Sequence, residues 1–289
     1  MPELPEVETV RIGLSKFLPG KTIKHVWHDW PKSFPNAPAD VQQFAVGAKI
    51  VLVARRAKVL LIELDTKYTL LIHLKMTGQL VFVSNKDRFG AGHPNDSLIN
   101  NLPDKTTHVV LDFGDSKLFF NDQRKFGWVK LIPTLEVPNI DFFKKVGPEP
   151  LAADFTHTKF IERLRRRQKS NIKSVLLDQT IVAGIGNIYA DESLFAACIH
   201  PETRVQNITD AQLKVLHKEL IDILKLSIEK GGSTDKNYVN AEGKKGSYMS
   251  FAKVFRKENT PCQRCGDIII KTRVAGRGTH ICPTCQVKN

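Results

Sequence analysis

Hydrophobic and polar positions alternate in short runs through the first half of the chain. KIVLVA (49–54), KVLLIELD (58–65), YTLLIHL (68–74) and QLVFV (79–83) are rich in Val, Ile and Leu, the pattern of an antiparallel meander. HVVLDF (108–113) and KLFFND (117–122), joined at Gly114-Asp115-Ser116, predict a hairpin, and WVKLIP (128–133) a further strand. Residues 20–133 are therefore mostly β. Between the two groups, residues 84–105 are polar, contain Gly and Pro and show no period, which predicts a long, mobile loop.

After Pro148-Glu149-Pro150 the texture changes, and a domain boundary is placed there. Phe160 to Asp178 reads as two helices broken near Gln168–Asn171, and Ile188 to Ala197 as another. The clearest helix follows Thr209: Thr209 and Gln212 have capping-box spacing, Leu213, Leu216, Leu220, Leu224 and Ile228 fall on one face, and Gly231 ends it. Residues 233–250 form a second polar loop, and 255–289 a small terminal module.

At 289 residues the chain is long enough for about two domains, and its 42% hydrophobic and 25% charged residues are those of an ordinary globular protein. No apolar run is long enough to span a membrane, and MPELPEVETV lacks the apolar stretch of a secretory signal, so a cytoplasmic location is expected. Charge adds more: 43 Lys and Arg against 30 Asp and Glu leave +13, which predicts a polyanionic partner. With no lipidation signal or Lys-rich amphipathic terminus, nucleic acid is favoured over a membrane surface.

Cys262-Gln-Arg-Cys265 and Cys282-Pro-Thr-Cys285 enclose sixteen residues, the two-pair spacing of a four-thiolate zinc site. Disulfides are the alternative, disfavoured in a reducing compartment. A module this small cannot fold on its own apolar surface, so zinc would supply its folding free energy. Cys198, in FAACI, reads as buried filler. The turn Ala275–Thr279 has glycines on both sides of Arg277, which would put that arginine at a hairpin tip, suited to phosphate or groove contact. ERLRRRQKSNIK leads into Ala183-Gly184-Ile185-Gly186-Asn187, two glycines and an N-cap asparagine opening a helix, and together these read as a DNA-backbone clamp.

Proline at position 2 is expected to lose Met1, leaving a secondary amine beside Glu3. An α-amine titrates near ~8, far below lysine, so it is a ready nucleophile for a sugar anomeric carbon, and the resulting iminium would acidify the neighbouring carbon.

MPELPEVETV, RRAKVLLIEL, HLKMTGQL, QRKFGWV, VGPEPL, AGIGNIYADESLF, IHPET and the terminal Cys pairs, in this order, resemble the bacterial formamidopyrimidine-DNA glycosylase family across nearly the whole chain. The resemblance implies an α+β multidomain fold: an N-terminal β-sandwich catalytic domain (1–148), a helix–two-turn–helix DNA-binding domain with a lesion-covering loop (149–250), and a C-terminal zinc finger (251–289). It implies a monomeric base-excision repair enzyme that acts on double-stranded DNA, removes 8-oxoguanine and ring-opened purines, and cleaves the strand by β- and δ-elimination, with one structural zinc. Pro2 becomes the Schiff-base nucleophile, Glu3 the general acid/base, Lys58 the proton donor of β-elimination and Arg277 that of δ-elimination. An arginine is a poor acid, so phosphate anchoring is expected to be at least as large a part of its work. On a strand face with Leu60 and Ile62, Lys58 would also be desolvated.

By the same resemblance, Met76, Arg124 and Phe126 fill the gap left by an everted nucleotide, Lys169 and Asn187 contact phosphates, and Tyr238 lies in the loop over the base. The family commonly has K-H-D-H before a strand; here Lys105-Thr106-Thr107-His108 lacks the first histidine and leaves His108 alone for that DNA contact. Residues 84–104 are longer than usual. Rival readings are an endonuclease VIII-like enzyme, disfavoured by Leu4-Pro5-Glu6-Val7-Glu8-Thr9, and a non-catalytic zinc-ribbon nucleic-acid binder, disfavoured by Pro2, Glu3 and Lys58.

Overall fold

The structure, a computed structural model, describes residues 2–93, 95–233 and 248–288. They form two compact units, one within Met1–Lys144 and Lys230–Ser247, the other within Lys145–Glu229 and Tyr248–Asn289.

The first unit opens with helix α1 (Leu4–Leu14), where Pro5 occupies the first turn and Leu4, Val7, Val10 and Leu14 form the buried face. There follow β1 (His25–His28), α2 (Pro38–Phe44), β2 (Ile50–Arg56), β3 (Val59–Leu64), β4 (Tyr68–His73), β5 (Gly78–Ser84), β6 (Arg88–Gly92), β7 (Thr107–Asp112), β8 (Ser116–Asp122), β9 (Trp128–Pro133) and α3 (Asp141–Lys145). The strands make two antiparallel sheets, β1-β7-β8-β5-β6 and β2-β3-β4-β9. Alternate residues of both, among them Leu60, Ile62, Leu70, Ile72, Leu80, Phe82, Leu118 and Phe120, share one core with Val7, Val10 and Leu14 of α1. This is the expected sandwich.

Two expectations about the strands need correction. The runs from 49 to 83 are not one meander: β2, β3 and β4 are, but β5 belongs to the other sheet, between β8 and β6. The turn from Leu74 to Gly78, closed by Gly78 N–H on the Leu74 carbonyl at 2.8 Å, carries the chain across, and alternation alone does not say which sheet a run joins. Nor is 84–105 a bare loop. Arg88–Gly92 pairs with β5, and a 3-10 turn at Asp96–Leu98 brings Leu98 against Val81, Val110 and Phe119 in a second small core. The strand is hidden in the sequence by Gly90, Ala91 and Gly92, poor strand formers; Gly92, at φ +126°, is required because a Cβ there would lie 2.5 Å from the Gly78 carbonyl oxygen.

The second unit is helical: α4 (His157–Arg165), α5 (Ile172–Leu177), α6 (Asn187–Ala196), α7 (Asp210–Glu229) and α8 (Tyr248–Phe251), followed by the hairpin β10 (Ile270–Val274) and β11 (Arg277–Ile281). The capping box at α7 forms as spaced, with Thr209 and Gln212 bonded reciprocally through backbone N–H groups, and Leu213, Leu216, Leu220 and Leu224 are buried. Gly186, not Asn187, is the N-cap of α6. Cys198 is not buried: α6 has ended, and Cys198 is exposed at φ +56°, with Arg264 Nη1 at 2.8 Å from its sulfur.

Leu220→Ala removes a fully buried side chain from the α7 face and is expected to cost about 2–5 kcal/mol, read as a lowered urea midpoint with the m-value unchanged.

Candidate active site and nucleic-acid interface

In the first unit, Pro2 and Glu3 precede α1 and both are buried. Glu3 is the N-cap and shares a reciprocal capping box with Glu6, whose Oε2 accepts the Glu3 N–H at 2.8 Å. The other oxygen of Glu6 accepts the N–H of Ser233 at 2.8 Å. One carboxylate therefore holds the start of the helix and the residue before the segment that contains Tyr238, a position outside the described residues.

Lys58 is buried, but in the two-residue turn between β2 and β3 and not on a strand face. Ala57, at φ +53°, makes the turn. Arg55 braces it, donating to the Ala57 carbonyl at 2.7 Å and to Glu8 of α1 at 2.9 Å. Burial by itself would raise Glu8, yet hydrogen bonds and charge from Arg11 and Arg55 hold its pKa below the usual carboxylate range. Glu8 lies five residues beyond Glu3, about 7.5 Å along a helix, so α1 aligns the Lys58 turn with the Pro2 end. His73, at the end of β4, is the neighbour that sequence reasoning missed. Burial, then the charges of Lys75 and Lys58, lower its pKa to about 3, so the ring is neutral, and its Nδ1 accepts the Lys75 N–H at 2.9 Å.

Met76 and Phe126 stand out as apolar side chains on exposed turns, 39% and 53% exposed. Arg124, also exposed, lies over the Phe126 ring at 4.7 Å. The turn and the loop meet at Asp122, which is buried and accepts N–H groups from Arg124, Phe126 and Gly127 at 3.1, 2.8 and 2.6 Å and the Thr77 hydroxyl. His108 is not placed to touch DNA. It is 1% exposed, with Nδ1 on the Asp29 carboxylate at 2.9 Å and Nε2 on the Asp122 carbonyl at 3.0 Å, so it braces the loop from behind.

In the second unit, the basic run is largely engaged within the protein. Arg163 and Arg165 donate to the carbonyls of Ile181 and Val205 at 2.7 and 2.6 Å, and Arg166 pairs with Glu162; Lys169 is exposed and makes no ion pair among the described residues. Asn187 opens α6 and donates to the Gly278 carbonyl at 2.9 Å, which brings it beside Arg277. Arg277 is exposed where β11 begins, just past the tight turn Ala275-Gly276, whose residues both have positive φ. The hairpin is fixed from inside by Lys173 and Asp191, both fully buried and 2.6 Å apart. Lys173 also donates to Thr279 at 2.7 Å, and Asp191 accepts the His280 N–H at 3.0 Å. Sequence reasoning passed over Lys173 as one more cation in a run; its only signal is a position one residue after buried Ile172.

The four cysteines Cys262, Cys265, Cys282 and Cys285 place their sulfurs within 4.8 Å of one another. The Cys262–Cys285 and Cys265–Cys282 separations are 3.9 and 3.4 Å, close to the ~3.8 Å that a tetrahedral zinc about 2.3 Å from each sulfur requires. Each knuckle also donates a backbone N–H to its first sulfur, Arg264 to Cys262 and Cys285 to Cys282, both at 3.4 Å, as suits thiolates.

Comparison with known proteins agrees with this geometry. The formamidopyrimidine-DNA glycosylase N-terminal domain matches residues 1–129, the H2TH domain of the same glycosylase matches 146–238, and a zinc finger found in FPG and IleRS matches 260–287. The chain belongs to the formamidopyrimidine-DNA glycosylase family. A relative named formamidopyrimidine-DNA glycosylase from Carboxydothermus hydrogenoformans is 42% identical, the match spanning 99% of this chain and 100% of that one. Among solved structures, the Lactococcus lactis Fpg in complex with an abasic site containing DNA superposes with a TM-score of 0.87 at 36% identity, covering 99% of this chain and 100% of that chain. A MutM in complex with carbocyclic 8-oxo-G containing DNA gives 0.86 at the same identity and coverage. The cysteine cluster is thus the family's zinc site, with one structural zinc.

Two outcomes are expected. Chelating the zinc unfolds the terminal module, read as new protease cleavage confined to residues 255–289. For His73, whose folded pKa lies below its unfolded value, the unfolded chain binds the extra proton. Stability is then complete above about pH 6.5 and falls by roughly 1.4 kcal/mol per pH unit down to about 3, a slope that His73→Gln should remove from urea midpoints measured against pH.

Proposed function

We propose that this chain is a bifunctional DNA glycosylase and abasic-site lyase of base-excision repair, acting on oxidised purines in double-stranded DNA. The observation that carries this is the buried Pro2-Glu3 pair at the head of α1, fixed by Glu6 and aligned with the Lys58 turn, in a chain that matches the glycosylase family from end to end. The chemistry belongs to 1–148, the grip on the duplex to 149–250, and the support of Arg277 to the zinc module 251–289.

With Met1 removed, the Pro2 nitrogen attacks C1′ of the damaged nucleotide. The bond from C1′ to the base breaks, and the base departs with a proton. The sugar ring then opens at the C1′–O4′ bond, Glu3 delivering the proton that O4′ takes, and an iminium forms between Pro2 and C1′. Glu3, a carboxylate once O4′ has its proton, takes a C2′ proton; the C–H electron pair moves into the iminium to give an enamine, which expels the 3′ phosphate, and a second elimination expels the 5′ phosphate. Lys58 and Arg277 are the proton donors of the two eliminations. A donor must be protonated, and the neutral His73 ring near the Lys58 turn does not compete for that role, its own pKa being lowered to about 3. Arg277 and Lys169, exposed and without ion pairs among the described residues, suit phosphates, and Asn187 orients the Arg277 turn through Gly278. Met76, Arg124 and Phe126 fill the gap left by the everted nucleotide. Zinc takes no part in these steps; it holds the module that presents Arg277.

Borohydride trapping on a duplex with 8-oxoguanine opposite cytosine tests the reading. The wild type should form a covalent adduct, and Pro2→Gly should lose it by about 100-fold or more while still binding the duplex. A wild type that binds without forming an adduct on this or an oxidised-pyrimidine duplex would mark a non-catalytic binder.

A further inference from the structure

Met76 lies on the turn between β4 and β5, and Arg124 and Phe126 on the loop between β8 and β9. The two segments are 48 residues apart for Met76 and Arg124, and different strands deliver them. To act on one base pair they must hold a fixed height relative to each other. We infer that Asp122 is the positioning residue that locks the Met76 turn to the Arg124–Phe126 loop, so that both enter the duplex as one rigid wedge. This rests on the void-filling reading above and adds the residues that make it work, Asp122 and Thr77.

The geometry matches donors to acceptors one for one. A carboxylate has about four lone-pair positions, and four donors converge here: the N–H groups of Arg124, Phe126 and Gly127, and the Thr77 hydroxyl. Thr77 follows Met76 directly, and its oxygen also accepts the Arg124 N–H at 3.2 Å, so turn and loop share a donor. An asparagine would turn an NH2 toward N–H groups and lose about half of the set. The carboxylate cannot shift to suit one segment alone. Gly78 and Asp122 are opposite each other in the sheet, the Asp122 N–H is bonded to the Thr106 carbonyl at 2.8 Å, and His108 holds the Asp122 carbonyl. Nor is there slack beside it: a Cβ on Gly127 would come within 2.6 Å of the Phe120 ring and 3.1 Å of Asp122 Oδ2. Lys125, at φ +54°, turns the loop back between the two wedge residues and places its ammonium 5.2 Å from the centre of the Trp30 ring.

Opening a base step costs a few kcal/mol, and a wedge that yields under that load transmits less of it. Excision, which needs the base everted, should therefore depend on the lock more than elimination at a site that has already lost its base.

Thr77→Val tests this, since it deletes the hydroxyl at nearly constant volume and leaves the three N–H bonds of the loop in place. Single-turnover excision of 8-oxoguanine opposite cytosine should fall about 10-fold or more, and the preference for cytosine over adenine opposite the lesion should narrow, as expected for the loss of the hydroxyl's bond to the Asp122 carboxylate together with the one it accepts from the Arg124 N–H. Cleavage of a preformed abasic-site duplex should change by less than about 3-fold, within the scatter of a peripheral substitution. Asp122→Asn should have the larger effect, and adding Thr77→Val to it should cost no more, because both remove the same link. Excision and abasic cleavage falling in step, unchanged excision in Thr77→Val, or additive losses in the double variant would each overturn the lock. If Met76→Ala and Phe126→Ala leave excision intact, the void-filling reading itself has failed, a result that Thr77→Val cannot produce.

Discussion

Asp122 accepts three main-chain N–H groups at the end of β8, and the same kind of interaction recurs at three other buried carboxylates. Glu6 takes the N–H groups of Glu3 and Ser233; Asp191 takes that of His280 while pairing with Lys173; Glu192 takes those of Lys253, Val254 and Phe255. A buried carboxylate is costly unless its lone pairs are filled, and backbone N–H groups fill them with donors that no rotamer change can withdraw. Each anchor therefore fixes a stretch of main chain: the head of α1, the loop after β8, the zinc hairpin, and the approach to the zinc module. Burial pushes the pKa of Glu192 up against the pull of its three N–H donors, which shows the cost being carried at one of these points.

This use of acidic residues changes what the net charge means. The excess of +13 is a sum over the whole chain, but several of the carboxylates that enter it face inward. Arg124, Lys125, Lys169 and Arg277 are exposed on the turns and loops. The exposed surface is thus more basic than the arithmetic suggests.

The sandwich, the helix after Thr209 and the four-thiolate site were legible because each follows from local spacing: alternation, a capping box, two Cys pairs. What the sequence hid was non-local. The crossing of β5 to the second sheet depends on which neighbour its edge finds, and β6 is built from Arg88, Phe89 and three small residues that read as loop. Lys58 sits in a turn because Ala57 adopts a positive φ, which alanine does not advertise. Asp122 and Lys173 look like ordinary charges in charged stretches, and His108 like a surface histidine, until the fold buries them. Motif resemblance reached the residues given chemical or DNA-contact roles, buried Pro2, Glu3 and Lys58 among them, whereas the residues that place them, Glu6, Asp122 and Lys173, needed coordinates.

The bond from the Ser233 N–H to Glu6 spans 227 positions. During synthesis from the N-terminus, the head of α1 can form early, but its carboxylate anchor stays incomplete until most of the helical unit has left the ribosome. A truncated or stalled product would carry the strands and the head of α1 without that closure, so the α1 anchor is completed only as most of the helical unit arrives.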